Sequence, residues 1–150
     1  MKKFFIICAI VILSGLSCKK ICACDPAQAA LFLVVKNAAG QDMLDPATPN
    51  YFSKDQVSLI AEGPTGKSPL SFLVRRPEEW LGLNNYFIYV SPIAAAVHFS
   101  PDLYLKLGNQ NEYILHITIT KDGRNIAQLL IDGKNIPASK KPDLFYFSLK

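Results

Sequence analysis

Two alternating runs joined by an Asp-Gly turn constrain the fold of this chain more than any other feature. Glu112 to Thr120 sets Tyr113, Leu115, Ile117 and Ile119 on one side, with His116, Thr118 and Thr120 opposite. That period of two belongs to a half-buried β-strand. Lys121-Asp122-Gly123-Arg124 follows, and Asp-Gly favours a tight turn because such turns need positive φ. Asn125 to Asp132 returns with Ala127, Leu129 and Ile131 inward, and Asp132-Gly133-Lys134 makes the next turn. A hairpin of this kind has one apolar face, so a second layer must cover it.

The rest of the chain supplies that layer in short pieces. Ala29 to Lys36 is apolar on both sides and reads as a fully buried strand, ended by the turn Asn37-Ala38-Ala39-Gly40. Gln56 to Glu62 alternates, with Val57, Leu59 and Ala61 inward. Leu70 to Val74 is a further short run, and Asn85 to Ser91 is rich in aromatics, as half-buried strands often are. Leu103, Leu105 and Leu107 point inward against outward Asp102, Tyr104 and Lys106, and Leu144 to Leu149 closes the chain. Seven to eight short strands at this spacing predict an all-β domain over 29–150. The expected form is an antiparallel, immunoglobulin-like β-sandwich, with a partly open β-barrel as the alternative. A domain of about 120 residues buries about two thirds of its unfolded surface and needs no disulfide staple.

The N-terminus has a different character. Met1-Lys2-Lys3 precedes the apolar run Phe4 to Leu13 and the exit Ser14-Gly15-Leu16-Ser17-Cys18, the plan of a bacterial signal peptide over 1–17. Phe4 to Cys18 is fifteen residues, about 22 Å of helix against a hydrocarbon core of about 30 Å, too short to span. Gly15-Leu16-Ser17-Cys18 resembles a lipobox, departing from it at Gly15 and Leu16, and Cys18 stands where the lipidating enzymes meet the chain. The expectation is lipidation at Cys18 and a tether through residue 28, with release to the periplasm as the alternative. Two or more acyl chains anchor stably, at about 0.8 kcal/mol per buried CH₂.

Processing changes the charge and the cysteine count. The sixteen basic residues lose Lys2 and Lys3, leaving 14 against 12 acidic, a net +2 over the remaining 133 residues. Lys19 and Lys20 sit in the tether, so the domain is near neutral. A nucleic-acid partner, which needs a concentrated basic face, is not expected. Cys8 leaves with the signal, and Cys22-Ala23-Cys24 lies in the tether without a second pair to complete a zinc site. No cofactor and no metal are expected.

Several local patterns suggest chemistry and have simpler readings. Ala61-Glu62-Gly63-Pro64-Thr65-Gly66-Lys67-Ser68 looks like a phosphate loop, but Ala61 replaces a required glycine and no helix follows. It reads as a hairpin turn, and no nucleotide partner is expected. Asp42 and Asp45 lack the alternating spacing of a calcium loop and are expected to cap local amides. His98, Ser100 and Asp102 suggest a hydrolytic triad without a nucleophile elbow, and Glu78 and Glu79 beside Trp80 suggest a glycosidase carboxylate without a visible partner. Trp80, Tyr86, Tyr89 and Tyr104 are candidates for a surface that stacks on sugar or peptide, against the simpler reading as core and cross-strand pairs.

Cys18-Lys19-Lys20, Cys24-Asp25-Pro26, an early strand ending in Lys36-Asn37 and the loop Gln41-Asp42-Met43-Leu44-Asp45-Pro46-Ala47-Thr48-Pro49 stand in this order. Together with Asp132-Gly133-Lys134-Asn135-Ile136 they resemble small envelope lipoproteins of Bacteroidetes. That resemblance implies a lipid-anchored β domain and carries no catalytic residues. The leading expectation is an envelope lipoprotein at the outer membrane, its β-sandwich a non-catalytic binding or accessory module for a protein or glycan. Lys19-Lys20 leans toward the periplasmic face. The rivals are a hydrolase using His98, Asp102 or Glu78, and a structural subunit assembling through strand edges.

Overall fold

A computed structural model describes residues 28–78 and 82–149. The expected signal peptide, Cys18, Cys22, Cys24, Glu79 and Trp80 lie outside the described residues. Ten strands are present in those described: β1 (Leu31–Lys36), β2 (Val57–Gly63), β3 (Gly66–Pro69), β4 (Leu73–Arg75), β5 (Phe87–Val90), β6 (Asp102–Leu107), β7 (Tyr113–Ile119), β8 (Ile126–Ile131), β9 (Lys134–Ile136) and β10 (Leu144–Ser148). A 3-10 turn (Lys54–Gln56) precedes β2, and a short α-helix, α1 (Ile93–Ala96), leads from β5 toward β6.

The strands form two sheets, one in the order β10-β1-β5-β4 and one in the order β3-β2-β6-β7-β8-β9. Neither closes into a barrel, and the fold is a β-sandwich. Every pairing is antiparallel except β1 with β10, which run parallel. The core lies between the sheets. Leu103, Leu105 and Leu107 of β6 are fully buried there, facing residues such as Leu31, Leu33 and Val35 of β1. Burial of each leucine is worth about 1.5–3 kcal/mol.

The double-sided apolarity of β1 has a direct cause. Its inward residues join the inter-sheet core, while Val34 joins a second cluster with Leu83, Phe87 and Leu144. Phe32 and Tyr89 pack on that cluster from the outer side of the four-stranded sheet. Both faces of β1 are therefore covered, as a run without alternation requires.

Two sequence expectations are corrected, those for Leu70 to Val74 and for Ala127, and β3 is a strand that no sequence pattern marks. Leu70 to Val74 is not one strand: Leu70 still donates its N–H to Leu59 of β2, whereas Leu73 begins β4 in the opposite sheet. The chain changes sheets between them. The loop at 61–68 is a hairpin turn as expected, but it flows into β3, whose residues are all exposed and show no pattern. Ala127 is exposed and Ile126 takes the core position. A β-bulge is responsible, because Thr118 faces Gln128 while Ile119 faces Ile126. The N–H of Ile126 goes to Asp143 Oδ1 at 2.6 Å, so the bulge is tied down from outside its own sheet.

Candidate functional site

A cleft opens between β9 and β10, the edge strands that face each other across the two sheets. Its volume is about 680 Å³, within the usual range for ligand pockets. The rim is the loop between β6 and β7. Gly108 starts that loop with φ 55, and a Cβ there would come within 3.2 Å of the Phe52 ring, so both conformation and space call for glycine. The following residues, Asn109, Gln110 and Asn111, are exposed and line the cavity side by side.

Tyr113 opens β7 and forms the floor with Phe147 of β10; their rings meet edge to face at 5.0 Å. The Tyr113 hydroxyl donates to Gln110 Oε1 at 2.8 Å. Burial, and then the negative charge of Asp132, push the Tyr113 phenol above its ordinary range. Tyr113 therefore stays a neutral hydrogen-bond donor at neutral pH. Asp132 is held by the β8–β9 turn, where Asp132 and Gly133 both have positive φ (49 and 75), the signature of a type I′ turn. Its carboxylate accepts from Ile114 N at 2.9 Å. One acid, Asp132, and one base, Lys134, stand among the lining residues, and the rest are uncharged. Such a lining of amides, hydroxyls and aromatic rings is suited to binding by hydrogen bonds and stacking.

The cleft and the entry of the chain lie at opposite ends of the sandwich. Ala29 donates its N–H to Gly123, in the turn that follows the end of β7. Tyr113 and the Asn109–Asn111 rim lie at the beginning of β7. The seven residues of β7 separate the two by about 20 Å at about 3.3 Å per residue. β8 and β10 agree, since each runs from the entry end (Ile126, Leu144) to the cleft end (Ile131, Ser148).

The tyrosines expected to form one surface are dispersed. Tyr89 lies on the outer face of the four-stranded sheet, its ring 5.2 Å from Phe32 and 5.1 Å from the Arg75 guanidinium. Tyr104 lies on the outer face of the six-stranded sheet, with Lys67 Nζ 3.2 Å from its ring centroid. Tyr86 is partly buried against the inter-sheet core, and its N–H donates to Asp42 Oδ2 at 2.6 Å. None of the three lines the cleft.

The triad candidates also part company. The Asp102 carboxylate lies 2.7 Å from His116 Nδ1, directly across the β6–β7 ladder, and not with His98. Ser100 Oγ accepts from Asp102 N at 3.3 Å, and exposed His98 stacks edge-on to Phe99. Glu78 pairs with Arg75 at 3.1 Å. Asp42 and Asp45 cap local amides as expected, at Leu44 N (3.0 Å) and Ala47 N (2.9 Å).

Alternation along β7 marks Tyr113 only as an inward strand residue, and no periodic pattern marks the amides at 109–111. The available signal was a polar Gly-Asn-Gln-Asn loop between two well-patterned strands, a common place for binding residues. Compared with known proteins, the chain matches no family model, no curated protein and no solved structure.

Proposed function

We propose that this chain is an envelope lipoprotein, anchored at the outer membrane through an acylated Cys18, whose β-sandwich is a non-catalytic binding module. Residues 19–28 serve as the tether. The observation that carries this reading is the polarity of the domain. The chain enters beside Gly123, and the cleft with its amide rim opens at the far end of β7. A module attached at one pole presents its open pole away from the bilayer, which suits capture of a soluble partner or ligand. The signal-like Met1 to Ser17 segment, Cys18 at its exit and the resemblance to Bacteroidetes envelope lipoproteins support the anchor.

The anchor is tested by feeding cells a clickable palmitate analogue and comparing the natural chain with Cys18→Ala. The expected result is labelled, membrane-associated protein for the natural chain and unlabelled protein for the variant. Label that survives the loss of Cys18 overturns the assignment.

A further inference from the structure

Resting on the binding reading above, we infer that the cleft between β9 and β10 takes a neutral, hydroxyl-rich ligand, an oligosaccharide, with Gln110 as its orienting contact. The chemistry of the lining leads there. Asn109, Gln110 and Asn111 bring three carboxamides to one rim. A carboxamide offers both donors and acceptors, which matches adjacent sugar hydroxyls that do the same. The Tyr113 hydroxyl donates to Gln110 Oε1 at 2.8 Å, which fixes the amide and leaves its NH₂ group to donate. Tyr113 itself sits edge-on to Phe147 at 5.0 Å, giving the floor an aromatic surface for the apolar side of a pyranose ring.

Charge and edge geometry favour a sugar over other ligands. Asp132 and Lys134 balance each other in formal charge, so the cleft does not select an anion or a cation. An extended peptide added to β10 would need a long open edge. That edge is already engaged at its start, where Phe145 bridges to Ala138 and Ser139 N donates to Leu144 O at 2.8 Å. On the other side β9 offers only Lys134–Ile136.

The test is isothermal titration calorimetry on the lipidated chain in detergent. The probes are neutral gluco-, manno- and chito-oligosaccharides, an acidic oligosaccharide and a set of extended hexapeptides. Each is repeated with Gln110→Ala and Asn111→Ala, both exposed loop positions whose loss leaves the core untouched. The expected result is saturable binding of at least one neutral series, weakened about tenfold by Gln110→Ala, as loss of an oriented hydrogen bond implies. Tyr113→Phe, which keeps the ring and frees the Gln110 amide, is expected to weaken binding about threefold. Binding of peptides or the acidic sugar alone overturns the inference and leaves the binding module standing. Glycan binding unmoved by both loop variants overturns the site. No heat with any probe overturns the glycan inference, while the Cys18 labelling result stands or falls separately.

Discussion

Asp143, only 8% exposed, accepts N–H groups from Ile126 at 2.6 Å and Ala30 at 3.5 Å. It thereby ties the bulge in β8 to the start of β1, and it does so from a left-handed conformation with φ 62. Asp143→Ala removes the acceptor and strains the backbone. It is expected to lose about 2–3 kcal/mol in urea unfolding, with Lys121→Ala within about 0.5 kcal/mol of the natural chain. Asp143→Asn keeps an acceptor and tolerates that conformation, so it is expected to lose less than the alanine variant. Tyr113 gives a pH-dependent expectation. Its phenol is held protonated by burial and by Asp132, so its contribution to stability is whole below the ordinary tyrosine range. The contribution is lost as pH rises through the elevated folded value. Ultraviolet titration is expected to show a phenol step above the ordinary tyrosine range that Tyr113→Phe removes. Asp132→Asn is expected to bring that step only part of the way back, since burial is the larger cause.

Among the elements, the strands with one buried face were legible because burial imposes the period of two. Val57, Leu59 and Ala61 of β2, and Leu103, Leu105 and Leu107 of β6, are the residues that the core receives. β3 was illegible for the complementary reason: Gly66–Pro69 buries nothing, so no pattern records it, and it is held by pairing to β2 and by Lys67 over the Tyr104 ring. Ala127 misled because the bulge is set by a distant carboxylate, Asp143, which alternation along β8 does not reveal. The β8–β9 hairpin depends on turn chemistry in the same local way. Gly133 has φ 75 and open space where a Cβ would stand. Gly133→Ala therefore meets no clash and is expected to cost about 1–2 kcal/mol through the backbone alone. Chemical denaturation measures that loss.

Across the whole molecule, the all-β sandwich followed from local patterns, but the site did not. Its lining is gathered from 109–113, 131–136 and 146–148, segments that meet only once β9 and β10 become facing edges. The Asp102–His116 pair was hidden likewise, because their ladder register joins residues 14 apart. Pairing with His98, four residues away from Asp102, was the nearer but unrealised arrangement. The proposed orientation of the domain joins the proposed anchor to the cleft. It is tested most directly by fluorescence quenching in vesicles that carry the lipidated protein and a headgroup-linked quencher. A single fluorophore is placed at Lys121→Cys, beside the chain entry, or at Asn109→Cys, on the cleft rim, with Cys22 and Cys24 replaced by serine. Stronger quenching is expected at position 121 than at 109. Equal quenching, or stronger quenching at 109, would contradict that orientation.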